Sequence, residues 1–384
     1  MVHHSQEVKP GLSMSFTCPC ACPGCERGRG VTTKVAVEKN KFEKFSSILA
    51  GWKKDIKPLS TAEGPGLGYR TKICLKSYRN AESEAWRFGL ISGKPKKETF
   101  QFYDIANCPL HSQFVREVLG FFSTAIDGKI PLAYLAVSGL LVTLVIKSKQ
   151  EPQLNIDFEQ LARIGVKGLF LNLNPSTGKR IFGSRAWRKI WGEEKDKQRI
   201  LGNDFVFGPA SFQQQIIPLY ESALVVAQNF LLGPGGVAVV DLYSGVGASL
   251  WLWNKKGSET IGVELGSEAV GCAKANVPNA TILQGKVSDR VPQLQEWVET
   301  QGARQIVAFV NPPRTGLEAD VLSWLSRERK VEKIAYLSCS PGTFKRDLTA
   351  LNAAGFCVHE IIPYDFFPYT KHIEALALLI RVRS

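Results

Sequence analysis

The chain has 384 residues, 44% of them hydrophobic, enough for two or three folded domains with sizeable cores. Lys and Arg number 48 against 35 Asp and Glu, a formal net charge of +13. That balance excludes an acidic chain and suits a polyanionic partner such as nucleic acid, although a basic protein with no such partner has the same composition.

In chain order, residues 1–11 are polar and lack the apolar segment of a secretory signal, which predicts a cytoplasmic protein. Four of the nine cysteines, Cys18, Cys20, Cys22 and Cys25, follow at once. A cytoplasmic chain does not use such a cluster for disulfides, so metal or iron–sulfur ligation is predicted. Residues 1–30 are read as a cysteine-rich segment, 31–204 as a central α/β domain and 205–384 as a third unit. Within 31–204, apolar spacing at Phe42, Phe45, Ile48 and Leu49 predicts a helix over 35–52, and 68–78, 86–91 and 169–173 read as strands. The apolar run 132–146 is shorter than the roughly 20 residues of a membrane span, and Ser138-Gly139 interrupts it. Two strands joined by a turn explain it better, so no membrane contact is expected. The basic stretch 179–199 holds Trp187 and Trp191, a combination that suits phosphate contact and base stacking. A solvated face above two core tryptophans explains it equally well.

From about residue 205 the pattern changes. Val237–Leu242 is a continuous apolar strand leading into Gly245-Val246-Gly247. Further strands are expected at 260–264, 280–283, Gln305–Val310, 333–337 and 376–380, with a helix over 268–275. Buried strands alternating with helices indicate a doubly wound, Rossmann-like α/β domain. Glycines after the first strand let the backbone approach a ligand, and Glu264, at the end of the next strand, suits the hydroxyls of a ribose. A dinucleotide fingerprint needs a third glycine where Leu250 stands. That glycine serves close packing beside a pyrophosphate, which S-adenosylmethionine lacks, so S-adenosylmethionine is the better cofactor. Cys339 ends another strand, on the side where open α/β sheets bind ligands. A single cysteine is more often a buried structural thiol.

Cys339 lies in Ser338-Cys339-Ser340-Pro341, downstream of Asn311-Pro312-Pro313-Arg314 and upstream of Phe367-Pro368-Tyr369-Thr370-Lys371-His372-Ile373-Glu374; Ser211-Phe212-Gln213-Gln214 precedes the glycine loop. This set, in this order, resembles the RNA uracil-C5 methyltransferase family over most of the chain, most closely from about residue 200 onward. The resemblance implies that Cys339 is the nucleophile and Glu374 the base that removes the C5 proton. It also implies that Gln214, Tyr243, Gly245, Gly247, Glu264 and Asn311 surround the cofactor and target base. Tyr243 replaces the frequent Phe, Asn311 a frequent Asp, and Ala248 and Lys286 replace polar residues of some relatives. The chemistry accounts for the residue types. Uracil C5 is a weak nucleophile until a thiolate adds at C6, and the adduct needs a base before it can eliminate. Arg314 is read either as a stabiliser of charge on a uracil carbonyl or as a plain salt-bridge partner.

Many members of the family bind a [4Fe–4S] cluster through three N-terminal cysteines and a remote one before a proline. The resemblance assigns these to Cys18, Cys22, Cys25 and Cys108, with Cys20 an alternative to Cys18 and a four-cysteine zinc site the rival. Cys74, Cys272 and Cys357 are expected in the core. Gly68-Tyr69-Arg70-Thr71-Lys72 resembles an RNA-contacting element of the family, so the central α/β domain, 31–204, is expected to bind RNA. Only 17 residues precede the cysteines, too few for a TRAM barrel. The expected branch therefore acts on 23S ribosomal RNA, as a monomer, with transfer RNA the second candidate. An amino-group methyltransferase fits Asn311-Pro312-Pro313 but lacks the aromatic residue such enzymes place next, where this chain has Arg314. A noncatalytic RNA-binding factor on the same fold is the alternative from another class.

Overall fold

The computed structural model describes residues 22–382 apart from 32, 65, 80–84, 93–100, 177–180, 184–185 and 234–235. Two seven-stranded sheets organise it. The first runs β3 (Gln101–Asp104), β2 (Arg87–Ser92), β1 (Ile73–Tyr78), β4 (Leu132–Ser138), β5 (Leu141–Ile146), β6 (Gly168–Leu173), β7 (Trp187–Gly192). All neighbours are antiparallel except β5 and β6. The apolar run 132–146 is thus the β4–β5 hairpin, and among the described residues no helix is long and apolar enough to cross a membrane. Helices α2 (Gln113–Ala125) and α3 (Phe158–Ile164) cover one face of this sheet. Their Val118, Phe122 and Leu161 meet Leu75, Phe88, Leu135 and Leu144. Ser112 and Asp157 start the two helices by accepting from the backbone N–H three residues on, at 3.2 and 2.9 Å.

A two-stranded ribbon, β8 (Asp196–Ile200) and β9 (Asn203–Phe207), leads to the second sheet. Its order is β12 (Thr281–Gln284), β11 (Glu259–Glu264), β10 (Val237–Leu242), β13 (Gln305–Val310), β14 (Val331–Ser338), β16 (Glu374–Arg381), β15 (Phe356–Tyr364). The first five strands are parallel, and β16 runs antiparallel between β14 and β15. Five helices connect the strands from β10 onward: α5 (Ala248–Lys255), α6 (Ser267–Asn276), α7 (Val287–Thr300), α8 (Ala319–Arg327) and α9 (Pro341–Ala353); α4 (Ile217–Leu231) precedes β10. Strand β10 is buried at all six positions, so it has no polar face, as expected for a parallel strand between two helix layers.

Helix α1 (Lys34–Ile48) packs Phe45 and Leu49 into the core of this second sheet. Ile56 and Ser60 then pair with Ile361 and Tyr364 of β15. Residues 34–60 thus belong in space with the C-terminal sheet, although they precede the central one in sequence. Two cysteines expected in the core are exposed. Cys74 points to the face of the first sheet that α2 and α3 leave uncovered, and Cys357 lies on the edge strand β15; only Cys272 is buried.

The most buried ion pair among the described residues is Lys41 of α1 with Asp365, Nζ to Oδ1 2.7 Å, side chains 1% and 0% exposed. Replacing Lys41 by Met leaves Asp365 charged and buried without its cation. Removing one partner of a buried pair is worth about 3–5 kcal/mol, so Lys41→Met should lower the urea-unfolding free energy by that much. Asp365→Asn added to it should recover part of the loss.

Candidate active site

The carboxyl ends of β10, β11, β13 and β14 face one crevice, at the point where strand order reverses around β10. After β10 the chain turns through Tyr243 at φ 63, Gly245 at φ 56 and Gly247 at φ 88. A left-handed tyrosine is uncommon, and such strain collects at functional sites. A Cβ on Gly245 would meet nothing within 4 Å, so this glycine leaves open space beside the crevice. A Cβ on Gly247 would lie 3.2 Å from Val277 and 3.3 Å from Ala273. Gly247 therefore serves the packing of α5 against α6 and does not line the cavity described below. Glu264 closes the turn: Oε2 accepts from Gly245 N at 3.1 Å and Oε1 from Gly266 N at 2.7 Å. Leu250, where a dinucleotide fingerprint has glycine, fills the space over Gly262, whose Cβ would stand 2.6 Å from Leu250 Cδ1. Asn311 follows β13 and donates its backbone N–H to Leu242 O at 3.2 Å.

At the other end of the crevice, Cys339 follows β14 just before the first turn of α9, and Glu374 opens β16. Glu374 is 3% exposed and Gln214 6%. Gln214 Nε2 donates to Glu374 Oε2 at 3.2 Å. Burial pushes the Glu374 carboxyl up to about 7, against the pull of Gln214 and Arg314. Burial also raises the Cys339 thiol, and the nearby Glu374 charge adds to this; Arg314 opposes both by charge and by a hydrogen bond to Cys339. Arg314 forms no ion pair among the described residues, so its cation is directed at the thiol rather than spent on a surface carboxylate. Burial and the surrounding Arg314, Lys371, Lys41 and Arg70 lower the His372 imidazole, which favours its neutral form.

One cavity of about 490 Å³ joins the two ends, with Gly245, Glu264 and Asn311 at one and Cys339, Glu374 and Arg314 at the other. Gln214, Tyr243 and Lys286 also line it. A volume of that order holds a nucleoside-sized ligand. Three lining residues lacked a role in the sequence reading although their motifs were in view: Phe212, 62% exposed, Phe367 and His372. They sit two to seven residues from assigned positions, and neighbourhood within the motif was the available signal.

The Gly68–Lys72 element is turned inward. Arg70 donates to Tyr69 OH at 3.3 Å and to Gly24 O at 3.4 Å, and Lys72 Nζ donates to Ser211 O. It fastens the cysteine segment and the loop before α4 to the central sheet. Trp191 stacks on Phe158 and Trp187 leans on Phe182, so both tryptophans of the basic stretch are partly occupied by packing. Cys18 and Cys20 lie outside the described residues. Cys22, Cys25 and Cys108 are free thiols sharing apolar surroundings. Burial raises the Cys108 thiol, the Leu110 backbone and Arg70 draw it back, and Cys25 and Cys22 add to the rise. Among the described residues no three His, Cys, Asp or Glu side chains are grouped closely enough to hold a metal ion.

The strand order, the glycine turn and the cavity define a Rossmann-like domain with a ligand-sized crevice at its switch point. Residues 298–382 match the family model described as tRNA (Uracil-5-)-methyltransferase. A Listeria innocua protein named as an uncharacterized RNA methyltransferase is 27% identical over 394 residues, 94% of this chain and 83% of that protein. One from Lactobacillus johnsonii is 34% identical over 259 residues, 65% of this chain and 55% of that protein. Among solved structures, the Pyrococcus abyssi tRNA (uracil-54, C5)-methyltransferase bound to S-adenosyl-L-homocysteine superposes with a TM-score of 0.71 at 22% identity, over 99% of this chain and 92% of that one. Over residues 298–382 the chain is similar to that tRNA (Uracil-5-)-methyltransferase family, and both relatives are named RNA methyltransferases.

If Glu264 holds a ribose, Glu264→Ala removes a charge-assisted hydrogen bond of about 1.5–3 kcal/mol. S-Adenosylmethionine binding should then weaken about tenfold or more by calorimetry. Equal affinity in the variant would place the ribose elsewhere.

Proposed function

We propose that this chain transfers the methyl group of S-adenosylmethionine to C5 of a uridine in structured RNA, through a covalent adduct on Cys339. The observation that carries the reading is the single cavity that has a ribose-type carboxylate at one end and a thiol, a buried carboxyl and a guanidinium at the other. S-Adenosylmethionine supplies an electrophilic methyl group. Cys339, as thiolate, forms a bond to C6, and the ring electrons move through C5 onto the carbonyl at C4. Arg314 offsets negative charge at the thiolate. The enolate forms the new C5–methyl bond and S-adenosylhomocysteine leaves. Glu374 then takes the C5 proton, the C5–C6 double bond re-forms, and the Cys339–C6 bond breaks. Gln214 holds the Glu374 carboxylate in place from the opposite side. The target base has to leave its stack to reach Cys339. Ribosomal RNA is the first target to test and transfer RNA the second.

The two reacting residues should fail differently. Cys339→Ala should give neither adduct nor methyl transfer, whereas Glu374→Gln should methylate, fail to eliminate and accumulate a denaturation-resistant protein–RNA complex. RNA carrying 5-fluorouridine should trap the wild type similarly. The readout is a denaturing gel with labelled RNA and cofactor, and methyl transfer by Cys339→Ala would sink the covalent mechanism in favour of amino-group methylation. Elimination also sets a pH dependence. Glu374 can accept a proton only when ionised, so release of a preformed adduct should be slow below pH 7, rise through about 7 and level off above it. A flat release rate between pH 6 and 8 would assign the base elsewhere.

The same proposal gives Cys22, Cys25 and Cys108, with Cys18, to a [4Fe–4S] cluster. Cys22 and Cys25 are buried and Cys108 half-buried, with no disulfide among these three, and thiols are the soft donors such a cluster takes. Protein purified without oxygen should be brown and contain iron, and Cys108→Ser should release it. Stoichiometric zinc without iron would overturn the assignment.

A further inference from the structure

The central sheet has two faces with different fates. Its inner face is sealed by α2 and α3. On the outer face, the β5–β7 half is covered, where Leu141 and Phe170 pack on Phe207 of β9 and on Val246 of the glycine turn. Among the described residues no helix or strand covers the β1–β4 half. Strand register puts Cys74, Lys76 and Tyr78 of β1 beside Ala136 and Tyr134 of β4, with Phe102 of β3 on the same side. Tyr78 and Phe102 stack with centroids 5.0 Å apart, and Tyr78 is 36% exposed. Lys76 Nζ stands 4.6 Å from the centre of the Tyr134 ring. Its other charged neighbour is a second lysine, Lys147, and neither forms an ion pair among the described residues. The outward acid on these strands, Asp104, is engaged by the Ala106 N–H at 3.0 Å.

Two lysines that repel each other across exposed aromatic rings form a surface whose missing counter-charge is an anion with flat apolar parts. A single-stranded polynucleotide has that chemistry, because phosphates meet the ammonium groups while bases stack on the rings. The face is also continuous with the active site. A groove of about 280 Å³ starts at Cys74 and Ala136, passes Lys72, and ends on Phe212, Arg314 and Phe367, three residues that also line the catalytic cavity.

We propose that the open face formed by Lys76, Tyr78, Phe102, Tyr134 and Lys147 is a platform for an unpaired RNA segment flanking the target uridine. The groove past Cys74 leads that strand to Cys339. The proposal rests on the reading of RNA as substrate and adds where the strand outside the reacting base lies.

The test uses the full chain without methyl donor, with a fluorescent unstructured oligouridylate followed by anisotropy over a series of salt concentrations. Tyr78→Ala should weaken binding about tenfold, and Tyr78→Phe, which keeps the ring, should restore it. The double variant Lys76→Gln with Lys147→Gln should reduce the slope of log affinity against log salt by about 1–1.5, two phosphate contacts' worth on a single strand. Both lysines are on the solvent side, so the double variant keeps a folded chain, to be checked by thermal melting. Ultraviolet crosslinking should map to peptides containing Tyr78, Phe102 or Tyr134. The inference falls if the variants bind with unchanged affinity and slope, if crosslinks map elsewhere, or if the variants lose binding to polyglutamate while keeping RNA. A wild-type chain that binds no RNA overturns the proposed function as well. A wild type that binds and methylates RNA, with variants unaffected, overturns only the platform.

Discussion

An ammonium and a carboxylate, both withdrawn from water, hold the loop on which the active site hangs. Lys41 reaches from α1 to Asp365 Oδ1 at 2.7 Å and also donates to Phe367 O at 3.1 Å. Asp365 Oδ1 accepts from Phe367 N at 3.2 Å, and Asp365 N donates to Ser60 O at 2.9 Å. From there the loop is pinned forward, Thr370 Oγ1 to Phe367 O at 2.8 Å and His372 N to Thr370 Oγ1 at 3.2 Å. Each bond fixes the acceptor of the next, and the series stops two residues short of Glu374. Desolvating the lysine lowers its pKa, and the adjacent Asp365 charge raises it again. A pair of this kind contributes little net stability relative to apolar packing, but it strongly disfavours arrangements that separate its members. The buried Glu374 carboxyl thereby receives a defined position from a helix more than 300 residues earlier in the chain.

That carboxyl shows how function and stability pull apart. Glu374 is buried with a neutral amide, Gln214, as its hydrogen-bonding side chain. A buried ion pair would make it a permanent anion and a weak base; an apolar pocket would keep it a neutral acid. The mixed setting puts it near 7, from an ordinary 4.5, where proton acceptance is both available and favourable. The folded chain therefore keeps this proton to higher pH than the unfolded chain does. The group's contribution to stability is highest below about 4.5 and declines as pH rises through about 7. Arg314 compensates on the other side of the same cavity. It opposes the rise of both the Cys339 thiol and the Glu374 carboxyl, so one cation offsets part of the burial penalty on two neighbouring groups.

Much of the C-terminal domain was legible because its strands are buried on both faces. β10 and β13 fall where continuous apolar runs place them, Val237–Leu242 and Gln305–Val310. β15 escaped because it is an edge strand. His359 and Glu360 sit at a register shift, and Pro363 removes a donor near its end, so neither alternation nor an apolar run marks it. The attachment of residues 34–60 to the C-terminal sheet was illegible for another reason. α1 has apolar spacing that any core satisfies, and which core it meets is a long-range fact. In the site, strand ends and motif order brought Cys339, Glu374, Glu264 and Asn311 to one cavity. They could not separate Gly245, which faces open space, from Gly247, which faces Ala273 and Val277. Nor could they show Arg70 and Lys72 turned inward, since an Arg or Lys bound to a backbone carbonyl reads in sequence like one that awaits a phosphate.

The cysteine segment meets the same loop from the opposite side. Glu26 N donates to Tyr369 O at 2.7 Å, Arg27 stands 5.2 Å over the Tyr369 ring, and Tyr69 OH donates to Pro368 O at 3.2 Å. Tyr369 is left-handed, at φ 62, a conformation that tyrosine holds only when its surroundings impose it. Those surroundings are Val37, Leu110 and Cys25, one residue from each unit that meets there. Asp365 is thus anchored by α1 and Tyr369 by the turn that follows Cys25, with Phe367 between them at the cavity wall. Order around Cys22 and Cys25 and order in the catalytic loop are consequently one property of the fold.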